Sequence, residues 1–331
     1  MNMRKLGNSG LTSSAIGLGC MGMSDFYGPA DRTESLATLH AALDSGINLL
    51  DTGDFYGMGH NELLIAEALK GQQRDKVILS VKFGAQRDPG RNWLGFDGRP
   101  AAVKTALAYS LKRLGTDYLD IYRPARLDPH VPIEDTIGAI ADMVKAGYVR
   151  HIGLSEVGSA TIRRAAATHA ICDLQIEYSL MSRTIETSIL PTCRELGIGV
   201  TAYGVLSRGL ISDNWSNTPL APGDFRSYSP RFQTDNLDTN LKLVAQLRDI
   251  ATPKNISVAQ LAIAWLLHRG DDIVPLVGIR RRKNMTDTLG ALAIKLTEAD
   301  ITAIEAAMPK DSAAGTRYAA MQMAHLDSEH G

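Results

Sequence analysis

Short apolar runs alternate with longer segments whose apolar residues recur at helical spacing almost throughout the chain. After an N-terminal hairpin (Arg4–Leu6, a Gly7-Asn8-Ser9-Gly10 turn, Ser13–Ala15), Ile16–Leu18 starts a strand-like series. It continues at 47–50, 77–82, 118–122, 150–154, 172–176, 198–203 and 273–277. Between these runs, Leu36, Leu39, Ala42 and Leu43 share one face of 33–45. Ile133, Ile137, Ile140 and Val144 do the same in 133–146. Strands alternating with helices of this length predict parallel βαβ units. Eight of them predict an α/β fold, a (β/α)8 TIM barrel whose chemistry sits at the strand C-terminal ends. Helical patterns at 238–252, 257–269 and 297–308 are additions to the eightfold unit, the last with Thr297 as N-cap. The segment 211–236 has no clear period and is rich in Ser, Asn, Pro and Gly. A loop of that length is usually functional or disordered. No linker or repeat interrupts the pattern, so residues 1–331 read as one domain.

Composition narrows the class. With 35 Lys and Arg against 36 Asp and Glu, the net charge of -1 gives no bulk attraction to nucleic acid or to a membrane surface. Cys20, Cys172 and Cys193 are odd in number and lack CxxC spacing, which argues for a reducing compartment and against disulfides or a zinc site. No apolar run approaches about 18 residues, and the N-terminus has no apolar leader core. The expectation is a cytoplasmic protein acting on a small molecule, with no metal.

The chemistry is concentrated in Asp51-Thr52-Gly53-Asp54-Phe55-Tyr56-Gly57, at the end of the second run, and in Lys82, at the end of the third. A carboxylate, a phenol and an ammonium thus project from the ends of successive strands. A phenol ionises near pH 10, a nearby cation favours phenolate, and a carboxylate can hold that cation. The plainer reading is an ordinary strand-end ion pair. Gly17-Leu18-Gly19-Cys20-Met21-Gly22 fits GxGxxG, but eight residues, Met23 to Ala30, follow it before the next helical pattern. A dinucleotide fingerprint needs the helix to open at the last glycines, so the motif alone does not indicate a Rossmann fold.

Taken together, these motifs resemble the aldo-keto reductase superfamily, in its larger bacterial and plant branch. Further matching blocks are Asn61-Glu62, Val81-Lys82, Asp117-Tyr118-Leu119-Asp120, Gly153-Leu154-Ser155-Glu156, Gln175-Ile176-Glu177-Tyr178-Ser179, Ala202-Tyr203-Gly204 and Pro275-Leu276-Val277-Gly278-Ile279-Arg280-Arg281. The resemblance implies NADPH as cofactor and reduction of an aldehyde or ketone to an alcohol. By that likeness Tyr56 is the proton donor, Lys82 lowers its pKa and Asp51 pairs with Lys82. The family's fourth residue, a histidine, is replaced here by Ala125 within Tyr122-Arg123-Pro124-Ala125-Arg126. Arg123, Arg126 and His130 are the neighbouring donors. The resemblance also assigns Ser155 and Gln175 to the carboxamide of the nicotinamide and the ring of Tyr203 or Tyr178 to its face. It assigns Leu206 and Arg208 to the pyrophosphate, Gly278 and Arg280 to the 2′-phosphate, and Asp287 and Thr288 to the adenine. Phe26, Tyr27, Phe55 and Trp93, with Ala125, are the candidate walls of a substrate pocket. An alternative reading, prompted by Ala125, is a slow NADPH-binding barrel with a redox-sensing or regulatory role.

Overall fold

A computed structural model describes all residues except 25, 214, 216–219, 222 and 331, so part of the 211–236 loop lies outside the described residues. The N-terminal hairpin pairs β1 (Met3–Lys5) with β2 (Thr12–Ser14). The next strands are β3 (Gly17–Gly19), β4 (Leu49–Gly53), β5 (Ile78–Phe83), β6 (Ala85–Arg87) and β7 (Trp93–Phe96). They are followed by β8 (Leu119–Pro124), β9 (Val149–Ser155), β10 (Ile171–Glu177), β11 (Gly199–Tyr203) and β12 (Ile273–Gly278). Eight parallel strands close in the order β10-β11-β12-β3-β4-β5-β8-β9, which is the expected (β/α)8 barrel.

The helices are α1 (Arg32–Asp44), α2 (His60–Ala68), α3 (Pro100–Leu114), α4 (Ile133–Lys145), α5 (Ser159–Thr168) and α6 (Ile189–Glu195). Then come α7 (Thr234–Ala251), α8 (Val258–His268), α9 (Lys283–Gly290), α10 (Glu298–Ala307) and the short α11 (Ala320–Met323). Of the apolar stripe read for α4, Ile133, Ile137 and Ile140 are at most 2% exposed, and Val144 near the C-terminal end is half-buried. Burying each such side chain contributes about 1.5–3 kcal/mol. Thr297 caps α10 as expected, in a reciprocal capping box with Asp300.

The sequence reading ends the second barrel strand at Leu50, whereas β4 runs on to Gly53. The polar residues that look like a strand end are satisfied inside the fold. Thr52 donates to Asn61 of α2 at 2.7 Å, and Asp51 points into the barrel. The antiparallel pair β6/β7 was not expected, and it carries Trp93. Gly17 and Gly22 also find a structural reason. A Cβ on Gly17 would meet Leu276 Cδ2 at 2.5 Å, and one on Gly22 would meet Arg280 Cδ at 3.0 Å. Those glycines make room for barrel packing and for an arginine.

Candidate active site

The mouth of the barrel is built on two neighbouring strand ends. Register pairs Asp51 with Ser80 and Gly53 with Lys82 across β4 and β5. The Lys82 ammonium donates to Asp51 Oδ2 at 2.6 Å, while Ser80 Oγ (3.0 Å) and Gln175 Nε2 (2.7 Å) donate to Oδ1. Both charges are buried, with Asp51 5% and Lys82 4% exposed. Burial lowers the Lys82 pKa, and the adjacent Asp51 carboxylate opposes that shift. The Tyr56 ring centre lies 5.1 Å from the ammonium, within cation–π range. The sequence reading has Lys82 bring the Tyr56 pKa down. In the structure burial, then the Asp51 charge, push the phenol well above its ordinary value, and Arg126 pulls it back. The ammonium is committed to Asp51, and Tyr56 keeps its proton at neutral pH.

One layer deeper lies a second buried ion pair. Arg123, fully buried, donates to Asp173 at 3.0 Å and to Ser80 at 2.9 Å, and Thr201 donates to Asp173 at 2.7 Å. Gly153 leaves the space for it: a Cβ there would sit 2.7 Å from Asp173 Oδ1. Ser80 joins this pair to the Asp51–Lys82 pair above. Arg123 is therefore an interior group held below the mouth. His130 is exposed, in the loop before α4. Arg126 is half-buried at the mouth. Its Nη1 donates to the Ala125 carbonyl at 2.8 Å, and its Nη2 lies 3.4 Å from the Tyr318 hydroxyl. Ala125 is 2% exposed.

Three of the four aromatic wall candidates gather round Tyr56. Phe55 packs edge-on at 4.7 Å between ring centres and Phe26 at 6.0 Å, while Trp93 closes the group 5.9 Å from Phe55. Tyr27 also acts on the Tyr56 phenol and lies near Arg208 and Arg226 as well. Its backbone carbonyl accepts from Arg280 at 2.8 Å, and the Arg226 guanidinium lies 5.6 Å from its ring centre.

The residues read as cofactor contacts fall into separate groups. Ser155 and Gln175 sit at strand ends facing the mouth and are almost fully buried. Tyr203 is there too, its hydroxyl 2.7 Å from Glu156 and 2.8 Å from Tyr318. Tyr178 is not: fully buried, it packs on Trp265 of α8 and bonds Glu186 at 2.7 Å and Arg269 at 3.1 Å. Arg208 also departs from expectation. Its guanidinium turns inward to Glu177 at 3.3 Å and lies 4.6 Å from the Tyr318 ring centre. Leu206, just before it, is half-buried. Asp287 is engaged with Ser257 at 2.9 Å, and the Thr288 hydroxyl donates to the Asn284 carbonyl at 2.9 Å. Gly278, at the end of β12, is exposed. Arg280 is half-buried, and burial together with the charges of Arg226 and Arg281 lowers its pKa. Asp224 faces Arg280 and pairs with Arg226 at 2.6 Å, and Glu34 acts on Arg281 and pairs with Arg282 at 2.9 Å, so four guanidinium groups stand against two carboxylates here. That excess of positive charge suits an anionic ligand.

The sequence reading missed a charge cluster at the mouth. Glu156 and Glu177 share Arg317 of the C-terminal segment, and Glu177 also takes Arg208 and Arg231. Charge patterning alone offers no signal for it, because its members are scattered from 156 to 317.

Residues 15–309 match the model of the Aldo/keto reductase family. The chain belongs to that family. It is 40% identical over 316 residues, 95% of this chain and 91% of the relative, to a Glycine max protein described as "Probable aldo-keto reductase 1". Among solved structures it is similar to a glycerol dehydrogenase from Gluconobacter oxydans, with a TM-score of 0.84 and 26% identity, covering 92% of this chain and 94% of that one. It is also similar to an aldo-keto reductase from Bacillus halodurans in its holo form, with a TM-score of 0.76 and 29% identity, covering 93% and 96%. Membership in the aldo/keto reductase family makes the chain an oxidoreductase of a family that generally uses nicotinamide cofactors. The residues present fit such a group, since the arginine-rich side around Arg280 would suit phosphate and the buried polar ends of Ser155 and Gln175 would suit a carboxamide. Among the described residues, no helix of this aldo/keto reductase is long and apolar enough to cross a membrane. A cavity of about 970 Å³ lies at the opposite end of the barrel, around the N-terminal hairpin and away from Tyr56.

Proposed function

We propose that this protein reduces an aldehyde or ketone to an alcohol with NADPH, and that Tyr56 supplies the proton. The observation that carries this reading is the buried Asp51–Lys82 pair at 2.6 Å beneath a Tyr56 phenol that is held protonated. Ser155, Gln175 and Tyr203 would hold the nicotinamide end, and Gly278 and Arg280 the 2′-phosphate. When bound, the reduced nicotinamide supplies hydride to the carbonyl carbon.

The chain's own residues do the rest. Negative charge grows on the carbonyl oxygen, and an alkoxide is a far stronger base than phenolate. A phenol with a raised pKa therefore still gives up its proton at that moment, and general-acid help of this kind contributes about 10²–10⁴-fold. Lys82 steadies the phenolate that remains, and Asp51, fixed by Ser80 and Gln175, keeps Lys82 in place. Phe26, Phe55 and Trp93 offer an apolar wall to the substrate's side chain. The Gluconobacter oxydans neighbour is a dehydrogenase, and the same residues run in reverse would serve alcohol oxidation. The three cysteines, all free and buried, support a cytoplasmic protein.

Stopped-flow oxidation of NADPH by a reactive aldehyde tests the reading. The wild type should transfer hydride readily, and Tyr56→Phe should lose at least about a hundredfold in turnover while still binding NADPH. Near-normal turnover in that variant refutes the role of Tyr56. Slow hydride transfer in the wild type refutes the reductase reading itself and favours the regulatory one.

A further inference from the structure

An oxyanion forming beside Tyr56 needs more than one donor in a water-poor site, because each donor aimed at it lowers the barrier. The groups around the Tyr56 phenol leave few choices. Phe26 and Phe55 are apolar, Asp51 accepts only, and Lys82 is taken by Asp51 at 2.6 Å. Of the other groups acting on the phenol, Tyr27 and Tyr318 offer one hydroxyl each and Arg126 a guanidinium. The other four arginines buried in and around the mouth, Arg123, Arg208, Arg231 and Arg317, each face a carboxylate. Among the described residues Arg126 makes no ion pair: its contacts are the Ala125 carbonyl, the Ser155 hydroxyl at 3.4 Å and the Tyr318 hydroxyl at 3.4 Å. A guanidinium has five N–H groups, and these contacts leave donors over.

The guanidinium is also held in place. Tyr318 lies under it, with ring centre 5.9 Å from Cζ. The Tyr318 hydroxyl is 2.8 Å from that of Tyr203, which is anchored on Glu156 at 2.7 Å. A chain of contacts therefore runs from buried Glu156 through two tyrosines to Arg126. Resting on the reductase reading above, we propose that Arg126 is a second catalytic donor to the carbonyl oxygen and that Tyr318, from the C-terminal segment, is its positioning residue. The Arg126 charge favours the phenolate form of Tyr56, as a group serving the same oxygen should. In the step itself the carbonyl π pair moves onto oxygen as carbon accepts hydride from the reduced nicotinamide. The Tyr56 O–H bond breaks to make the alcohol, and Arg126 keeps all its protons.

The test compares wild type, Arg126→Leu, Arg126→Gln and Tyr318→Phe in NADPH-dependent reduction of benzaldehyde, with and without low-millimolar guanidinium chloride. Benzoate binding to each NADP⁺-loaded protein is measured by titration calorimetry, since its carboxylate mimics the oxyanion. Arg126→Leu should lose about 10²-fold in kcat with NADPH affinity kept, and guanidinium should restore part of it. Benzoate should bind at least about tenfold more weakly, a loss of roughly 1.4 kcal/mol. Should Arg126→Leu not fold, Arg126→Gln fills similar space without the charge and carries the same expectations. Tyr318→Phe should lower kcat several-fold with little change in KM and no rescue by guanidinium. A kcat within about threefold of wild type in the Arg126 variants, or unchanged benzoate affinity, overturns the donor role. Unchanged kcat in Tyr318→Phe overturns the positioning role. A wild type inert toward benzaldehyde and other aldehydes overturns the reductase reading instead, and benzoate binding still decides whether Arg126 meets an anion there.

Discussion

Arg317 closes a two-pronged pair on Glu156 across 161 residues of chain, with Nη1 3.0 Å from Oε1 and Nη2 2.8 Å from Oε2. Glu156 is fully buried and holds an unusual backbone, with φ at 53°. It accepts further bonds from Tyr203, Ser328 and the Glu177 amide. Burial alone would raise its pKa, but the Arg317 charge and hydrogen bond, then the Arg126 charge and the Tyr203 hydrogen bond, hold the carboxyl far below the usual carboxylate range. The pair fastens the C-terminal segment over the barrel mouth. Truncating one partner of such a pair strands a buried charge, which typically costs about 3–5 kcal/mol. Arg317→Ala should lose that much in denaturant unfolding. A loss under about 1 kcal/mol would mean that water reaches Glu156 once the arginine is gone. Because the folded pKa is depressed, this stability is present above the unfolded value of about 4.3 and fades as pH falls below it.

Asp54 behaves in the opposite sense. It is half-buried, yet its Oδ1 is out of solvent and has no hydrogen-bond partner. Burial, then the charge of Glu62, push its pKa up to about 7, against the pull of Arg113 and the amides of Gly84 and Phe55. The folded state thus holds a proton that the unfolded chain releases near pH 4. Stability falls as pH climbs from there toward 7, and the penalty is fully present above it. Asp54→Asn should therefore raise the melting temperature more at pH 8 than at pH 5.5, by several degrees at about 2–4 °C per kcal/mol. An equal effect at both pH values would show that Asp54 ionises without cost.

Arg280 is the residue on which cofactor choice is expected to turn. Charge-assisted contacts to phosphate are worth roughly 1.5–3 kcal/mol. Arg280→Ala should weaken NADPH binding by about one to two orders of magnitude and leave NADH binding nearly unchanged. Fluorescence titration with both cofactors checks this, and equal losses would remove Arg280 from the 2′-phosphate.

Trp93 is 44% exposed and reaches the Tyr56 neighbourhood through Phe26 and Phe55. Aromatic contacts of this kind contribute about 0.5–1.5 kcal/mol. Trp93→Ala should raise KM for aromatic aldehydes several-fold and leave KM for acetaldehyde within error. An identical change for both would place Trp93 outside the substrate pocket.

Much of the framework was legible in the residue pattern. Barrel strands and helices repeat every few residues, so α4 declared its buried face through Ile133, Ile137 and Ile140 before any fold was known. Asp51, Tyr56 and Lys82 were legible for a related reason: each stands at or just beyond a strand end, and strand ends of a parallel barrel converge on one mouth. What depended on side-chain partners was not legible. Nothing local distinguishes Tyr178 from Tyr203, yet α8 buries the first and Glu156 draws the second to the mouth. Arg208 reads as a phosphate ligand until Glu177, 31 residues away in sequence, turns it inward. The same holds for the direction of the Tyr56 pKa, which depends on how fully the ring is buried and on which charge Lys82 has already neutralised. Periodicity and strand-end chemistry are properties of neighbouring residues, so the sequence by itself determined the barrel and the Asp51–Tyr56–Lys82 group. Burial and ion pairing join residues as far apart as 156 and 317, so only the closed tertiary structure decided how each arginine at the mouth is engaged and which tyrosine faces it.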